Sequence, residues 1–296
     1  MNRLVNAAFA SSTKLTYDQA LRSFDAFRVG QALPQAWPAP QEHIVQFAAF
    51  LSLENKSHAT ARTYVAAIST FHKLKGWSDP TNNFLLRKLL QGFARSKKHT
   101  DSRLPITFDK LIQLGSNLHN ICTDAYEVLL FKAAYTLAFF GFLRVNELVG
   151  QSKPDKISRA GLQLTDIQLG SILQVQLRAS KTDQHGLGTK IQLQAVHKAP
   201  AVCPVRAMRA YLASRPKNSN QLLVHFNSRP LTRYQFQAVL KKAALFLGWD
   251  TSRFSSHSFR IGAATTAANN GTPIEFIMKK GRWRSSAVTS YIRADR

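Results

Sequence analysis

Residues 256–260 read Ser256-His257-Ser258-Phe259-Arg260, and Trp283 and Tyr291 follow before the chain ends at Arg296. A helix that begins at a capping serine, Ser255 or Ser256, places His257 in its first turn and Arg260 three residues later on the same face. The unpaired N–H groups of such a helix start attract an anion alongside the imidazole and the guanidinium, and the natural guest is a phosphate. Tyr291 lies in a short helical pattern whose capping candidates are Ser285 and Ser286. A free phenol titrates near ~10, so it attacks phosphorus at neutral pH only where cations or a base stabilise the phenolate. Arg260 and His257 are the nearest such groups in sequence. Each residue alone has a plainer reading, Tyr291 as an amphipathic ring packed on the core and His257 and Trp283 likewise. Only the arrangement favours chemistry.

Helices surround this stretch. Asn269-Asn270-Gly271 closes the one bearing His257 and Arg260, and Thr272-Pro273-Ile274-Glu275 reads as a capping box for another that Gly281 stops. Upstream, one helix opens at Cys203-Pro204 with proline at its first position, and one at Thr232, boxed with Gln235 and stopped by Gly248. Before these the period falls to two. Leu162 and Leu164, then Leu173, Val175 and Leu177, then Ile191, Leu193 and Ala195 alternate with polar residues, with turns at Gly170 and Gly186-Leu187-Gly188. That pattern is a small antiparallel sheet of three strands. Lys181 falls where the second strand gives way to the turn: either a solvated tip, or a cation that a mobile tip carries to a reacting phosphate. An apolar helix from about Thr123 to Leu143 precedes the sheet and ends on Arg144, which must find an anion or reach water. Glu147, three residues on, either makes a plain ion pair with Arg144 or orients it for a task.

The first ninety or so residues show helical spacing throughout. Tyr17, Ala20, Leu21, Phe24 and Phe27 mark one helix, and Ile44, Phe47, Ala48 and Leu51 a second. Ala61, Tyr64, Val65, Ile68 and Phe71, after Ser57, mark a third, and Phe84, Leu85, Leu89, Leu90 and Phe93 a fourth. Residues 1–95 therefore form a four-helix domain. Residues 96–106 lose apolar side chains and gain Lys97, Lys98, His99 and Arg103, so they read as a basic linker. It is either an ordinary solvated connection or a strap whose cations follow the phosphates of a duplex. Residues 107–296 form the second domain, and the fold class is mainly α with a small antiparallel β-sheet.

Forty Lys and Arg against 16 Asp and Glu leave a formal charge of +24, and 45% apolar content argues for a folded chain. A field of that sign favours a polyanion, with nucleic acid as the leading partner. No segment joins a basic face to a large exposed apolar one, as a membrane-surface helix would. The most apolar run, Val128 to Leu143, is interrupted by Lys132, Thr136 and Gly141 and reads as a buried helix. Cys122 and Cys203 stand far apart without metal-ligand spacing and read as small buried hydrophobes, so neither a disulfide scaffold nor a metal site is expected. The N-terminus lacks a signal-type apolar core, and an intracellular protein is expected.

Taken together, Arg144, Lys181, His257-x-x-Arg260, Trp283 and Tyr291 resemble the active-site set of the tyrosine recombinases, the phage-integrase and Xer-like family. Gly141-Phe142-Leu143-Arg144-Val145-Asn146-Glu147-Leu148 looks like that family's first arginine box, and Ser256 to Arg260 with Gly262-Ala263-Ala264 resembles its second. Gly281-Arg282-Trp283 through Tyr291 is similar to the closing box, with Trp283 where many members carry His. Order and spacing agree over about residues 105 to 296, and the N-terminal unit resembles the core-binding domain. The general run of the sequence looks closest to the eukaryotic DIRS-like and Crypton-like transposon branch.

The resemblance implies site-specific cleavage and rejoining of double-stranded DNA. Tyr291 would attack a phosphate to give a 3′-phosphotyrosyl link and a free 5′-hydroxyl. Arg144 and Arg260 would hold the nonbridging oxygens, and His257 would bind the phosphate or take the phenolic proton. Lys181 would protonate the leaving oxygen, Trp283 would buttress the site and Glu147 would support Arg144. Lys97, Lys98 and Arg103 would add DNA contacts. No metal or nucleotide cofactor is implied, because the covalent link stores the bond energy. By analogy the active form is a homo-oligomer, a tetramer on synapsed DNA, in the nucleus of a eukaryote or otherwise in the cytoplasm. Five residues follow Tyr291 where relatives often continue into a helix that docks on a neighbour, so the assembly differs or the C-terminus has been trimmed. Two rival readings share the motifs: a catalytically silent DNA-binding descendant, whose mark would be a broken catalytic set, and a type IB topoisomerase that relaxes DNA.

Overall fold

Hydrophobic residues at helical spacing need a shared interior, and the chain builds two separate ones. The computed structural model describes residues 8–96, 101–149, 161–178 and 188–293. It divides into two compact units, Met1–Asp101 and Ser102–Arg296. Lys97, Lys98 and Lys181 lie outside the described residues.

In the first unit the helices are α1 (Ser11–Gly30), α2 (Gln41–Leu53), α3 (His58–Leu74) and α4 (Phe84–Ser96). Ser57 caps α3 by accepting from the N–H of Thr60, and Gly76, with φ of 74°, turns the chain after it. Phe24, Ile44, Phe47, Leu51, Ala61 and Ile68 are buried at the centre. On α4 the inward face differs from the expected one. Leu86 and Phe93 are buried with Leu89 and Leu90 against them, whereas Phe84 and Leu85 in the first turn are exposed. The reason is phase: 86, 89, 90 and 93 fall on one side of a 3.6-residue helix, and Leu85 does not.

A buried cation sits in the same unit. Arg28 has no solvent exposure, and its guanidinium lies 4.8 Å from the ring centres of both Phe24 and Trp37. It pairs with Asp25 at 2.5 Å and donates to the carbonyl of Ala36 at 2.8 Å. It therefore pins the proline-rich connection between α1 and α2.

The second unit opens with α5 (Phe108–Asn117), capped by Thr107, and α6 (Ala125–Phe140), capped by Asp124. Leu130, Phe131, Ala134 and Leu137 of α6 are fully buried, so this apolar helix is the spine of the core. Among the described residues no helix is long and apolar enough to cross a membrane. The expected run to Leu143 is too long. α6 stops at Phe140, the chain turns through Gly141 and a left-handed Phe142 (φ 49°), and Arg144 heads a new short helix, α7 (Val145–Leu148).

The sheet has three antiparallel strands in the order β1-β2-β3: Ile167–Leu169, Leu173–Leu177 and Thr189–Leu193. At its centre Val175 pairs with Ile167 on one side and Ile191 on the other. The first strand therefore lies beyond Leu162 and Leu164, where it was expected. The Leu162 carbonyl instead accepts from Leu222, and Leu164 donates to Asn220, so that alternating stretch is spent on a loop crossing.

Helices α8 (Pro204–Ser214), α9 (Arg233–Phe246), α10 (Ser256–Asn269) and α11 (Ile274–Gly281) follow, then a 3₁₀ turn over Ser286–Tyr291 capped by Ser285. Thr232 and Gln235 form their capping box. The Thr272–Glu275 box is not observed: Pro273 occupies the cap of α11 with no side-chain bond. The left-handed residue that ends α11 is also not Gly281 but Arg282, at φ 58°. Both cysteines are free thiols; burial, with Glu127 and Asp124 adding to it, pushes Cys122 up to about 12.

Candidate active site

Ser255 caps α10, accepting from the N–H of His257 while its own N–H donates to the Ser258 hydroxyl. Gln237 of α9 takes the next N–H, that of Ser256, at 2.6 Å. These bonds fix the first turn of α10. Phe259 then locks its rotation, with its ring 4.9 Å from Tyr135 and 5.5 Å from Phe236. Gly262 lets the chain at Ile106 cross directly over the helix, since a Cβ there would meet the Ile106 carbonyl at 1.7 Å. The Ile106 N–H donates to the Ser258 carbonyl at that crossing.

Arg260 is thereby aimed into the unit and has no solvent exposure. Its two terminal nitrogens donate to the carbonyls of Phe142 and Gly281, and its guanidinium lies 4.1 Å from the Trp283 ring centre and 5.6 Å from that of Tyr291. Burial, then the nearby cations of Arg144 and Arg282, push its proton affinity down to about 9, against an opposing pull from Glu147. It stays charged at neutral pH.

The aromatic residues close over it. Tyr291 is 4.9 Å from both His257 and Trp283, ring centre to ring centre. Trp283 lies against the Cα of Gly281, where any Cβ would overlap its ring. Thr265 of α10, buried, donates its hydroxyl to the Tyr291 carbonyl at 3.2 Å and accepts from the N–H of Arg293 at 3.1 Å. The backbone of the tyrosine is thus tied to the helix that carries His257 and Arg260.

Arg144 approaches from the turn after α6. Its own N–H donates to Glu147 at 2.9 Å, and its Nη1 pairs with the other carboxylate oxygen at 3.0 Å. With 25% side-chain exposure, it is the arginine of this group that reaches the surface. The structure therefore brings together Arg144, Glu147, His257, Arg260, Trp283 and Tyr291. Arg103 stands in the segment before Ile106, half-buried and engaged. Among the described residues no group of three His, Cys, Asp or Glu side chains gathers that could hold a metal ion.

Two residues that tie this cluster together went unread in the sequence. Thr265 carries no local signal, because its partners are 26 and 28 residues away. Arg282 stands in the closing box beside Trp283 with no local signal of a partner, yet its side chain is 8% exposed and pairs with Glu147 at 3.0 Å.

The Phage integrase family profile matches residues 106–296. The chain belongs to that family, the tyrosine recombinases. It is 28% identical over 266 residues to an integrase/recombinase XerD homolog of Selenomonas ruminantium, covering 85% of this chain and 72% of that protein. Its fold is shared with the Tn1549 transposon integrase in complex with circular intermediate DNA, at a TM-score of 0.63 and 15% identity over 97% of this chain and 91% of the other. XerH recombinase bound to its difH substrate aligns at 0.65 with 16% identity, over 95% and 76% of the two chains. A lambda integrase dimer on a COC′ core site aligns at 0.66 with 15% identity, over 100% and 77%. The expected mainly α architecture with a small sheet is the fold of these structures.

Proposed function

We propose that this chain cleaves and rejoins duplex DNA at specific sites, with the hydroxyl of Tyr291 as nucleophile and a 3′-phosphotyrosyl protein as intermediate. The observation that carries the proposal is the meeting of Tyr291 with His257, Trp283 and the buried Arg260, beside Arg144. A cluster of cations around a phenol both stabilises the developing phenolate and neutralises the two nonbridging oxygens. Arg144, partly exposed, meets the phosphate first. Arg260 lies beneath the Trp283 and Tyr291 rings, so its use requires those two side chains to turn aside as DNA enters, with the backbone of their segment held in place. His257, against the phenol ring, takes the phenolic proton or donates to the phosphate. Lys181 delivers a proton to the leaving 5′-oxygen, and the first helical unit, with Lys97, Lys98 and Arg103 near the junction, grips the flanking duplex. The reaction needs no cofactor.

The active form is a homo-oligomer, a tetramer on two synapsed duplexes. It works inside the cell, in the nucleus if the host is eukaryotic and in the cytoplasm otherwise, and within the family we place it near the DIRS-like and Crypton-like branch. The test is a duplex nicked beside the cleavage position, so that the released fragment diffuses away. The parent accumulates covalent protein–DNA complex and Tyr291→Phe accumulates none; equal trapping by both would remove Tyr291 from the mechanism. Two-duplex products then separate strand exchange from simple relaxation.

A further inference from the structure

Glu147 does more than orient Arg144. Its side chain is 7% exposed, and its Oε2 accepts both the Arg144 N–H at 2.9 Å and Arg282 Nη2 at 3.0 Å, while Oε1 holds Arg144 Nη1. Arg282 also donates to the carbonyls of Gly141 at 3.2 Å and Phe142 at 3.1 Å. The Phe142 carbonyl is the one that also accepts from Arg260. One guanidinium therefore fastens the turn carrying Arg144 to the turn that leads into Trp283 and Tyr291.

The backbone supports a dedicated role. Residues that end a helix in the left-handed region are usually glycine or asparagine, because a larger side chain is strained there. Here an arginine takes that position and sends its charge inward. Gly281, just before it, is kept bare by the Trp283 ring. The ring that covers Arg260 and the cation that holds Glu147 thus leave the same turn in two directions.

We propose that Arg282 is a positioning residue for strand cleavage: through Glu147 it holds the Trp283–Tyr291 segment in register with Arg144, so that phenol and phosphate clamp meet. The inference rests on the cleavage reaction proposed above. Arg282 does not touch the phosphate. A guanidinium can bridge one carboxylate and two carbonyls at once, whereas an ammonium keeps the charge without that fork.

The experiment measures the single-turnover rate of covalent complex formation on the nicked duplex, with duplex affinity and melting temperature, for the parent, R282K, R282M, E147Q and E147Q/R282K. Misplacement by about 1 Å costs about hundredfold in rate. R282M is accordingly expected to cleave about hundredfold slower and R282K about tenfold slower, both binding duplex within about threefold of the parent. Because both residues act through one link, adding R282K to E147Q slows cleavage by less than about twofold more. A merely structural role would give losses that multiply and track the folded fraction. Should R282M fail to fold, R282K and the double variant decide. R282K cleaving within about threefold of the parent, or multiplying losses in the double variant, overturns the inference. If the parent itself forms no adduct, the cleavage reaction is overturned and the inference falls with it.

Discussion

Two arginines with no solvent exposure, Arg28 in the first unit and Arg260 in the second, solve the same problem in opposite ways. Both leave the Nε–H buried without a partner among the described residues, so the difference lies in how their charge is matched. Arg28 has its own carboxylate, Asp25, together with two aromatic faces and carbonyl partners. Around Arg260, Glu147 pairs with Arg144 and Arg282, while Arg260 itself bonds to two backbone carbonyls and among the described residues has no carboxylate of its own. Arg282, like Arg260, is pushed down by burial and by Arg144, against the pull of Glu147. A buried cation whose charge is matched is a structural clasp. A cluster left with an excess of positive charge is held by backbone carbonyls and rings, and in the reaction proposed above a phosphate in its transition state supplies the missing negative charge.

The comparison breaks most sharply at Arg260. Replacing it with Met is expected to slow adduct formation by about 10² to 10³, the usual cost of one preorganised donor, while leaving the melting temperature equal or higher because like charges separate. A rate within about fivefold of the parent, or a clear loss of stability, would put Arg260 in the same class as Arg28. The converse substitution, Arg28→Met, is expected to cost about 2–3 kcal/mol in urea unfolding of the first unit through lost cation–π and hydrogen-bond contacts. Asp25 is 45% exposed and can be hydrated, which keeps the cost below that of a fully buried broken pair. Cleavage per folded molecule should not change. If it does, the clasp is part of the chemistry.

The smallest effect sharpens the balanced side. Burial would raise the carboxyl of Asp79, but bonds from Ser69, Lys73 and Thr81 outweigh it and hold the group well below its ordinary range. The folded state therefore binds this proton less readily than the unfolded chain, and the stabilisation is complete above about pH 4–5 and lost as pH falls further. Asp79→Asn should lower the melting temperature modestly at about pH 7, with a gap to the parent that narrows below about pH 4. A gap that stays constant with pH would assign the effect to packing.

Much of this was legible because it is local. Capping at Ser57 and Thr232, the proline that opens α8 and the apolar spacing of α1 to α3 are decided by residues within one turn of each other. The boxes around Arg144, Arg260 and Tyr291 were legible through their resemblance to those of a known family, while the capping serine before His257 fixes where the first side chains of α10 point. What escaped was decided across the fold. The alternation at Leu162 and Leu164 satisfies a strand rule, but pairing with residues 220 and 222 claims that stretch before the sheet can. Arg144 was placed at the end of the preceding helix because nothing nearby announces that Phe142 turns left-handed. Nothing beside Arg282 in the closing box announces a partner, and only the carboxylate 135 residues upstream shows that its side chain is buried.

The central claim is that one phenol, served by cations from distant segments, joins the DNA. The most direct measurement isolates the adduct trapped on the nicked duplex, digests protein and DNA, and locates the nucleotide-bearing residue by mass spectrometry. A 3′-phosphate on Tyr291 is expected, in the peptide that follows Arg284. A nucleotide on any other residue, or an adduct that joins through the 5′ end, would contradict it.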